Sequence, residues 1–275
     1  MSDAIERAAD AIAEAEAIFI GAGAGMGVDS GLPDFRGDTG FWRAYPPFQK
    51  LGLSFVDLAN PRWFDQDPSL GWGFYGHRLH LYRDTRPHDG FSLMRDWATR
   101  KPGGYFAFTS NVDGHFQRAG YDDELLCECH GSIHHFQCSA PCDEAVWDAD
   151  GIDIAIDEQF RAADPLPECA CRRVARPNIL MFGDMRWLEE RSAQQTVRMR
   201  DWLHERAGER VVVVECGAGT AVPTVRWQCE RVSAAFDAPL VRINPRESHG
   251  PERTISVAMG AREALERIGA ILNRE

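Results

Sequence analysis

No run of 18 apolar residues occurs in this 275-residue chain, which excludes a transmembrane helix of ordinary length. The first residues, Met-Ser-Asp-Ala-Ile-Glu-Arg, lack the basic segment and apolar run of a secretory signal. The expectation is a cytoplasmic chain with no membrane partner. Positive charge is in short supply: 30 Lys and Arg stand against 42 Asp and Glu, a formal net charge of −12. That balance argues against direct nucleic-acid binding or adhesion to anionic lipid, and it is compatible with a basic protein substrate. Internal repeats and low-complexity tracts are absent. A plain dinucleotide fingerprint is absent too, because G-x-G-x-x-G read from Gly21 needs glycine where Met26 stands. No acidic residue follows at the end of a clear second strand.

What is present is enough apolar residue, 44%, for a sizeable core in one large α/β domain plus a small module. Ala17-Ile18-Phe19-Ile20 reads as a short buried strand. It runs into Gly21-Ala22-Gly23-Ala24-Gly25-Met26-Gly27, whose glycines permit a tight turn and close approach of backbone to a ligand. A strand, a glycine turn and a helix start make an anion site, because free N–H groups and the helix dipole favour negative charge there. Pro33-Asp34-Phe35-Arg36-Gly37 then carries a turn signal with a charge pair and an aromatic, as suits a loop folded over a ligand.

Further along, the pattern alternates. Helices are expected at 2–16, 90–99, 189–207 and 258–273, and strands at 17–20, 105–109, 125–129, 178–182, 210–216 and 239–243. Residues 38–87 lose the strand signal, are dense in aromatics and are cut by prolines at 46, 47, 61 and 68, so a mostly helical insert is expected. Strands alternating with helices imply a parallel, doubly wound sheet, with polar clusters at the carboxyl ends of its strands.

The eight cysteines include two close pairs, Cys138 with Cys142 and Cys169 with Cys171. In a chain without a secretion signal such pairs point to metal rather than disulfides, and four thiolates suit structural zinc. The bites are C-x-x-x-C and C-x-C rather than two C-x-x-C. Cys127 and Cys129 read as ordinary strand residues. Three histidines, His130, His134 and His135, stand close together, and the residues alone leave open which of them is chemically active.

Five motifs in order resemble those of the sirtuin family. Gly21–Gly37 is similar to G-A-G-x-S-x-x-x-G-I-P-D-F-R-G, with Gly25 for Ser and Leu32 for Ile. Thr109–Gly120 is similar to T-Q-N-I-D-x-L-H-x-x-A-G, with Ser110 for Gln, His115 for Leu and Phe116 for His. His130-Gly131 is similar to the family's H-G. Arg176–Asp184 is similar to R-P-x-V-V-x-F-G-E, and Gly217–Thr220 with Asn244 to the family's G-T-S and I-N.

The resemblance implies a Rossmann-like NAD-binding domain from 1–37, 88–136 and 177–275, a cofactor loop and helical module at 38–87, and a zinc-binding module at 137–176. It implies an NAD-dependent protein-lysine deacylase acting on an acyl-lysine protein, with His130 as base and Asn111 beside it. Gly21, Ala22, Gly23, Asp34, Phe35, Arg36, Asn111, Asp113, Gly217, Gly219, Thr220 and Asn244 would hold NAD. Met181, Phe182 and Gly183 would hold the peptide. Tyr75 and Arg78, as Y-x-x-R, resemble the pair that reads acidic acyl groups in the desuccinylase branch. Zn2+ would be structural. Ser110 and Phe116 keep open an NAD hydrolase or ADP-ribosyltransferase, and a non-catalytic NAD-binding module is the remaining alternative. The sequence is silent on oligomeric state.

Overall fold

A computed structural model describes residues 2–33 and 37–273. Nine strands are formed among these residues: β1 Ala17–Ala22, β2 Tyr105–Thr109, β3 Leu126–Glu128, β4 Gly131–Cys138, β5 Val146–Asp148, β6 Ala175–Ile179, β7 Val211–Cys216, β8 Leu240–Ile243 and β9 Ile255–Val257. Six of them make one parallel sheet in the order β3-β2-β1-β7-β8-β9. The strand order reverses between β1 and β7, and in open sheets of this kind ligands bind in the crevice beyond that point.

The sheet is buried on both faces, which is why Val211–Val214 can be valine throughout. Side chains alternate across it. Ile18, Ile20, Val212 and Val214 pack with helices Ser2–Glu14, Asp89–Thr99 and Ala261–Leu272. Ala17, Phe19, Val211 and Val213 pack with helices Glu190–Glu205 and Thr224–Phe236 on the other face.

A second core gathers the aromatics of the insert. Helices Gly37–Ala44, Pro46–Lys50, Phe55–Leu58, Trp63–Gln66 and Pro68–Asp84 surround Phe41, Tyr45, Phe48, Trp72 and Phe74. This core continues into an antiparallel sheet in the order β5-β4-β6.

That small sheet departs from the sequence reading. The strand expected at 178–182 is β6, Ala175–Ile179, and it pairs antiparallel with β4 instead of joining the main sheet. Strand β4 was not anticipated, because a bulge between Ser132 and Phe136 interrupts its register and polar His134-His135 break its pattern. Strands β4 and β6 run across positions 136/137 and 176/177, where the sequence reading divides the chain. β9 was also missed; three residues give too short an alternation to register.

Candidate active site

The two glycine turns that flank the reversal of strand order pack back to back. Gly23 N donates to Cys216 O at 3.0 Å, and Gly25 N donates to Gly217 O at 3.0 Å. Gly217 has φ +66, and a Cβ placed on it would lie 2.3 Å from Met26 N, so only glycine closes this approach. Gly21 and Ala22 end β1; a Cβ on Gly21 would lie 2.2 Å from Cys229 Sγ, so its bareness also seats the Thr224–Phe236 helix.

The end of β2 reaches into the same turn. Thr109 Oγ1 donates to Ala22 O at 2.8 Å and accepts from Asn111 N at 3.0 Å. Asn111, buried, donates its amide to Gly23 O at 3.1 Å. Asp113 is buried as well; its Oδ1 accepts from His115 N at 2.9 Å, and a Cβ on Gly27 would lie 3.6 Å from its Oδ2. Asn111, Asp113, Gly21, Ala22 and Gly23 are thus brought together, while Asp34, Phe35 and Arg36 lie outside the described residues.

On the far side of the reversal, Asn244 donates to Ala218 O at 2.9 Å and accepts from Arg246 N and Glu247 N, each at 3.0 Å. Glu247 accepts from Thr220 N at 3.3 Å and from the Thr220 hydroxyl. Glu247 and Thr109 were not among the sequence candidates. For Glu247 the available signal was an acidic residue just past the 239–243 strand; Thr109 lay within a recognised motif but was read as a strand residue only.

The three histidines separate by their partners. His134 Nε2 lies 3.0 Å from Asp113 O, and His135 Nε2 lies 3.1 Å from Asp148 Oδ1. His130 sits in the turn from β3 to β4, and its ring has no hydrogen-bond partner among the described residues. Burial lowers its pKa below the ordinary imidazole value, which keeps the ring neutral and able to accept a proton at pH 7. Gly131 follows because a Cβ there would lie 2.0 Å from Asn178 O, across the close pairing of β4 with β6. Leu180 N donates to His130 O at 3.0 Å, which brings the chain leading to Met181-Phe182-Gly183 beside the turn. Met181 is buried, whereas Phe182 and Gly183 are exposed.

Phe116, standing where the sirtuin pattern has His, is a core residue: it packs on Phe91 and Tyr121 with ring centroids 5.2 and 4.8 Å away. Tyr75 and Arg78 share the Pro68–Asp84 helix and are both buried. Arg78 donates from Nε at 3.1 Å and Nη2 at 2.7 Å to Tyr82 Oη, and its guanidinium lies 5.5 Å from the Tyr75 ring centre. Burial pushes the Tyr75 phenol up to about 12, so it stays protonated and able to donate.

Cys138, Cys142, Cys169 and Cys171 converge with their sulfurs all within 4.8 Å of one another. The Cys138–Cys171 and Cys142–Cys169 sulfurs are 3.7 and 3.6 Å apart. A tetrahedral ion with bonds of about 2.3 Å sets sulfurs roughly 3.8 Å apart, so the four fit Zn2+ despite their unequal bites. The Arg173 backbone N–H and the neighbouring thiols pull the Cys171 thiol down to about 7, which favours the thiolate that a metal needs.

The chain thus combines a glycine-turn crevice with a histidine at a neighbouring strand end and a four-thiolate site outside the main sheet. The Sir2 family model matches residues 23–203, more than half of the chain, and the chain belongs to that family. An NAD-dependent protein deacylase of Thermus thermophilus is 28% identical over 267 residues, covering 95% of this chain and 92% of that one. One of Candida albicans is 29% identical over 202 residues, covering 59% of this chain and 63% of its own length. The mitochondrial NAD-dependent protein deacylase sirtuin-5 of Danio rerio is 31% identical over 189 residues, covering 62% of this chain and 58% of that one. Among solved structures, a Sir2 homologue complexed with NAD shares the fold with a TM-score of 0.71 at 23% identity, covering 98% of this chain and 94% of that one.

Proposed function

We propose that this chain is an NAD-dependent protein-lysine deacylase that works in the cytoplasm on acyl-lysine proteins. The observation that carries the reading is the geometry at the carboxyl edge of the sheet: Asn111 bonded to the Gly23 turn, and a neutral, unengaged His130 one strand away. NAD, bound there, would supply the ribose carbon that takes the acyl oxygen as nicotinamide leaves with the bonding electron pair; one water is consumed in freeing the lysine nitrogen from the acyl carbon, so the products are free lysine, nicotinamide and O-acyl-ADP-ribose.

The chain's own residues divide that work. The Gly217–Thr220 turn offers backbone N–H groups to the diphosphate, and the Gly21–Gly23 turn, whose Gly23 N–H is engaged by Cys216 O, lets the backbone approach it closely. Asn244, held to Ala218 O, shapes the adenosine-ribose end. Asp113 accepts the carboxamide N–H of nicotinamide, which a carboxylate is suited to do. His130 Nδ1 or Nε2 takes the proton from a ribose hydroxyl, whose oxygen then attacks the acyl carbon. Met181–Gly183 receives the peptide as an added strand, Asp34, Phe35 and Arg36 complete the cofactor loop, and the four cysteines hold zinc as a structural ion. The segments 1–37, 88–136 and 177–275 form the NAD domain in this reading, 38–87 the cofactor loop and helical module and 137–176 the zinc module. No helix among the described residues is long and apolar enough to cross a membrane.

The resemblance of Tyr75 and Arg78 to the acidic-acyl pair favours acidic acyl groups in this reading, because a guanidinium facing the acyl chain rewards a terminal carboxylate. Incubation with NAD and a panel of acetyl-, malonyl- and succinyl-lysine peptides, read by mass, tests the whole reading. O-acyl-ADP-ribose is expected; free ADP-ribose or ADP-ribosylated protein instead would establish hydrolase or transferase chemistry.

A further inference from the structure

Behind the turn that carries His130 lies a buried ion pair that the reaction described above does not use. Glu128, the last residue of β3, is held at three points by one face of the Glu190–Glu205 helix. Its backbone N–H donates to Gln195 Oε1 at 3.0 Å. Its carbonyl accepts from Ser192 Oγ at 2.9 Å. Its carboxylate accepts from Arg191 Nη2 at 2.6 Å, with side-chain exposures of 2% for Glu128 and 19% for Arg191.

We propose that Arg191 is a positioning residue for the base: by holding Glu128 it fixes the turn that presents the His130 imidazole. The proposal rests on the assignment of His130 as base. Its physical ground is that a carboxylate this deeply buried stays charged only when paired; burial raises the Glu128 pKa and Arg191 pulls it back. The next two residues are gripped separately, Cys129 N by Thr109 O at 2.9 Å and His130 O by Leu180 N at 3.0 Å. The turn therefore hangs from three elements, and Arg191, Ser192 and Gln195 supply the hold on its first residue.

The helix that carries Arg191 is itself entered from the loop after Met181–Gly183. Gln137 Oε1 accepts from Leu188 N at 3.1 Å, Gln137 Nε2 donates to Arg186 O at 2.7 Å, and Asn178 donates to Leu188 O at 2.8 Å. These bonds fix the loop to the small sheet just before the helix begins. The same short stretch of chain thus follows the peptide-binding segment and anchors the base.

The test compares Arg191→Met, Arg191→Lys and His130→Ala on one acyl-lysine peptide in two assays. Exchange of labelled nicotinamide into NAD reports the step before the base acts, and formation of O-acyl-ADP-ribose reports the step after it. Arg191→Met is expected to lower kcat for acyl transfer by about tenfold to a hundredfold, as for a catalytic group displaced by about 1 Å. KM values and nicotinamide exchange should stay near wild type, and Arg191→Lys should recover most of the loss. In the unliganded protein, amide hydrogen exchange at 128–131 should accelerate in Arg191→Met and not in Arg191→Lys.

Equal loss of exchange and transfer, no loss of either, no recovery by lysine, or unchanged amide exchange would each overturn the positioning role. If Arg191→Met does not fold, Glu128→Gln combined with Arg191→Met removes the unpaired charge and is judged by the same readings. Full acyl transfer by His130→Ala would instead overturn the base assignment, and the amide-exchange comparison would still decide whether Arg191 holds the turn.

Discussion

Arg176 and Asp184 meet in a bidentate ion pair, Nη1 to Oδ2 at 2.7 Å and Nη2 to Oδ1 at 3.0 Å, with both side chains fully shielded from solvent. The pair closes the loop that contains Met181–Gly183, and Asp184 Oδ1 also accepts from Arg186 N at 3.0 Å. The acidic residue that ends the R-P motif is therefore a brace for the Met181–Gly183 loop.

Removing one partner of such a pair leaves a buried, uncompensated charge. Arg176→Met should cost about 3–5 kcal/mol, and lower Tm by about 10 °C at this chain length. A thermal melt of the variant checks it. A loss under about 1 kcal/mol would place the pair with weak surface bridges.

For the base, the direction of the His130 shift sets the pH dependence. Burial lowers the folded pKa, so the neutral, proton-accepting ring persists to lower pH than a free imidazole would allow. The acid limb of kcat/KM should therefore turn down below about pH 6.5. His130→Ala should lose acyl transfer by about 10²–10⁴-fold with its melting temperature preserved. A variant retaining most of the rate would remove His130 from the mechanism.

His135 makes a matching prediction for stability. Burial and the nearby Arg191 charge lower its folded pKa to about 4 despite Asp148 beside it. The unfolded chain binds this proton near pH 6.5, so between about 6.5 and 4 the unfolded state holds more protons and stability falls as pH falls. The Tm of His135→Phe should decline less steeply than wild type from pH 7 to pH 5. Comparing slopes cancels any metal lost on acidification.

The four-cysteine site predicts one zinc per chain. Cys171→Ser should lower the bound metal and the melting temperature together, because metal binding contributes folding free energy. Wild-type protein that is metal-free by elemental analysis and unaffected by chelator would contradict the zinc assignment.

Arg78 predicts the acyl preference. A charge-assisted bond contributes about 1.5–3 kcal/mol, roughly ten- to a hundredfold in efficiency. Succinyl-lysine should be processed at least as well as acetyl-lysine, and Arg78→Met should lose the acidic substrates and spare the acetylated one. Equal loss of kcat/KM for both would mark Arg78 as a packing residue that serves the cluster of Tyr82, Phe74 and Phe55.

The main sheet was legible because its strands are buried on both faces. Continuous runs such as Val211–Val214, each followed by glycine or a polar cluster, state the βα repeat directly. The four cysteines were legible because thiols leave few alternatives once disulfides are set aside. The small sheet was not: β4 carries a bulge and adjacent histidines, so no period of two survives. The hydrogen-bond roles of Asn244 and Glu247 were hidden because each depends on a partner many residues away, Ala218 and Thr220 respectively. Phe116 was not legible as a core residue. It stood in a motif position and kept the hydrolase alternative open, and its packing in the core with Phe91 and Tyr121 leaves that alternative to the product assay.

Phe182 N donates to Ala59 O at 2.9 Å, and the Phe182 ring meets Phe55 edge-on at 6.3 Å. The segment proposed to receive the peptide is thereby tied to the Phe55–Leu58 helix, whose Phe55 ring lies 5.7 Å from the Arg78 guanidinium carbon. Tuning for a new acyl group and tuning for a new target protein are not separable tasks in this enzyme. A substitution that reshapes the pocket floor will be felt along the cleft, so variants selected on a single peptide should change their ranking when the flanking sequence is changed.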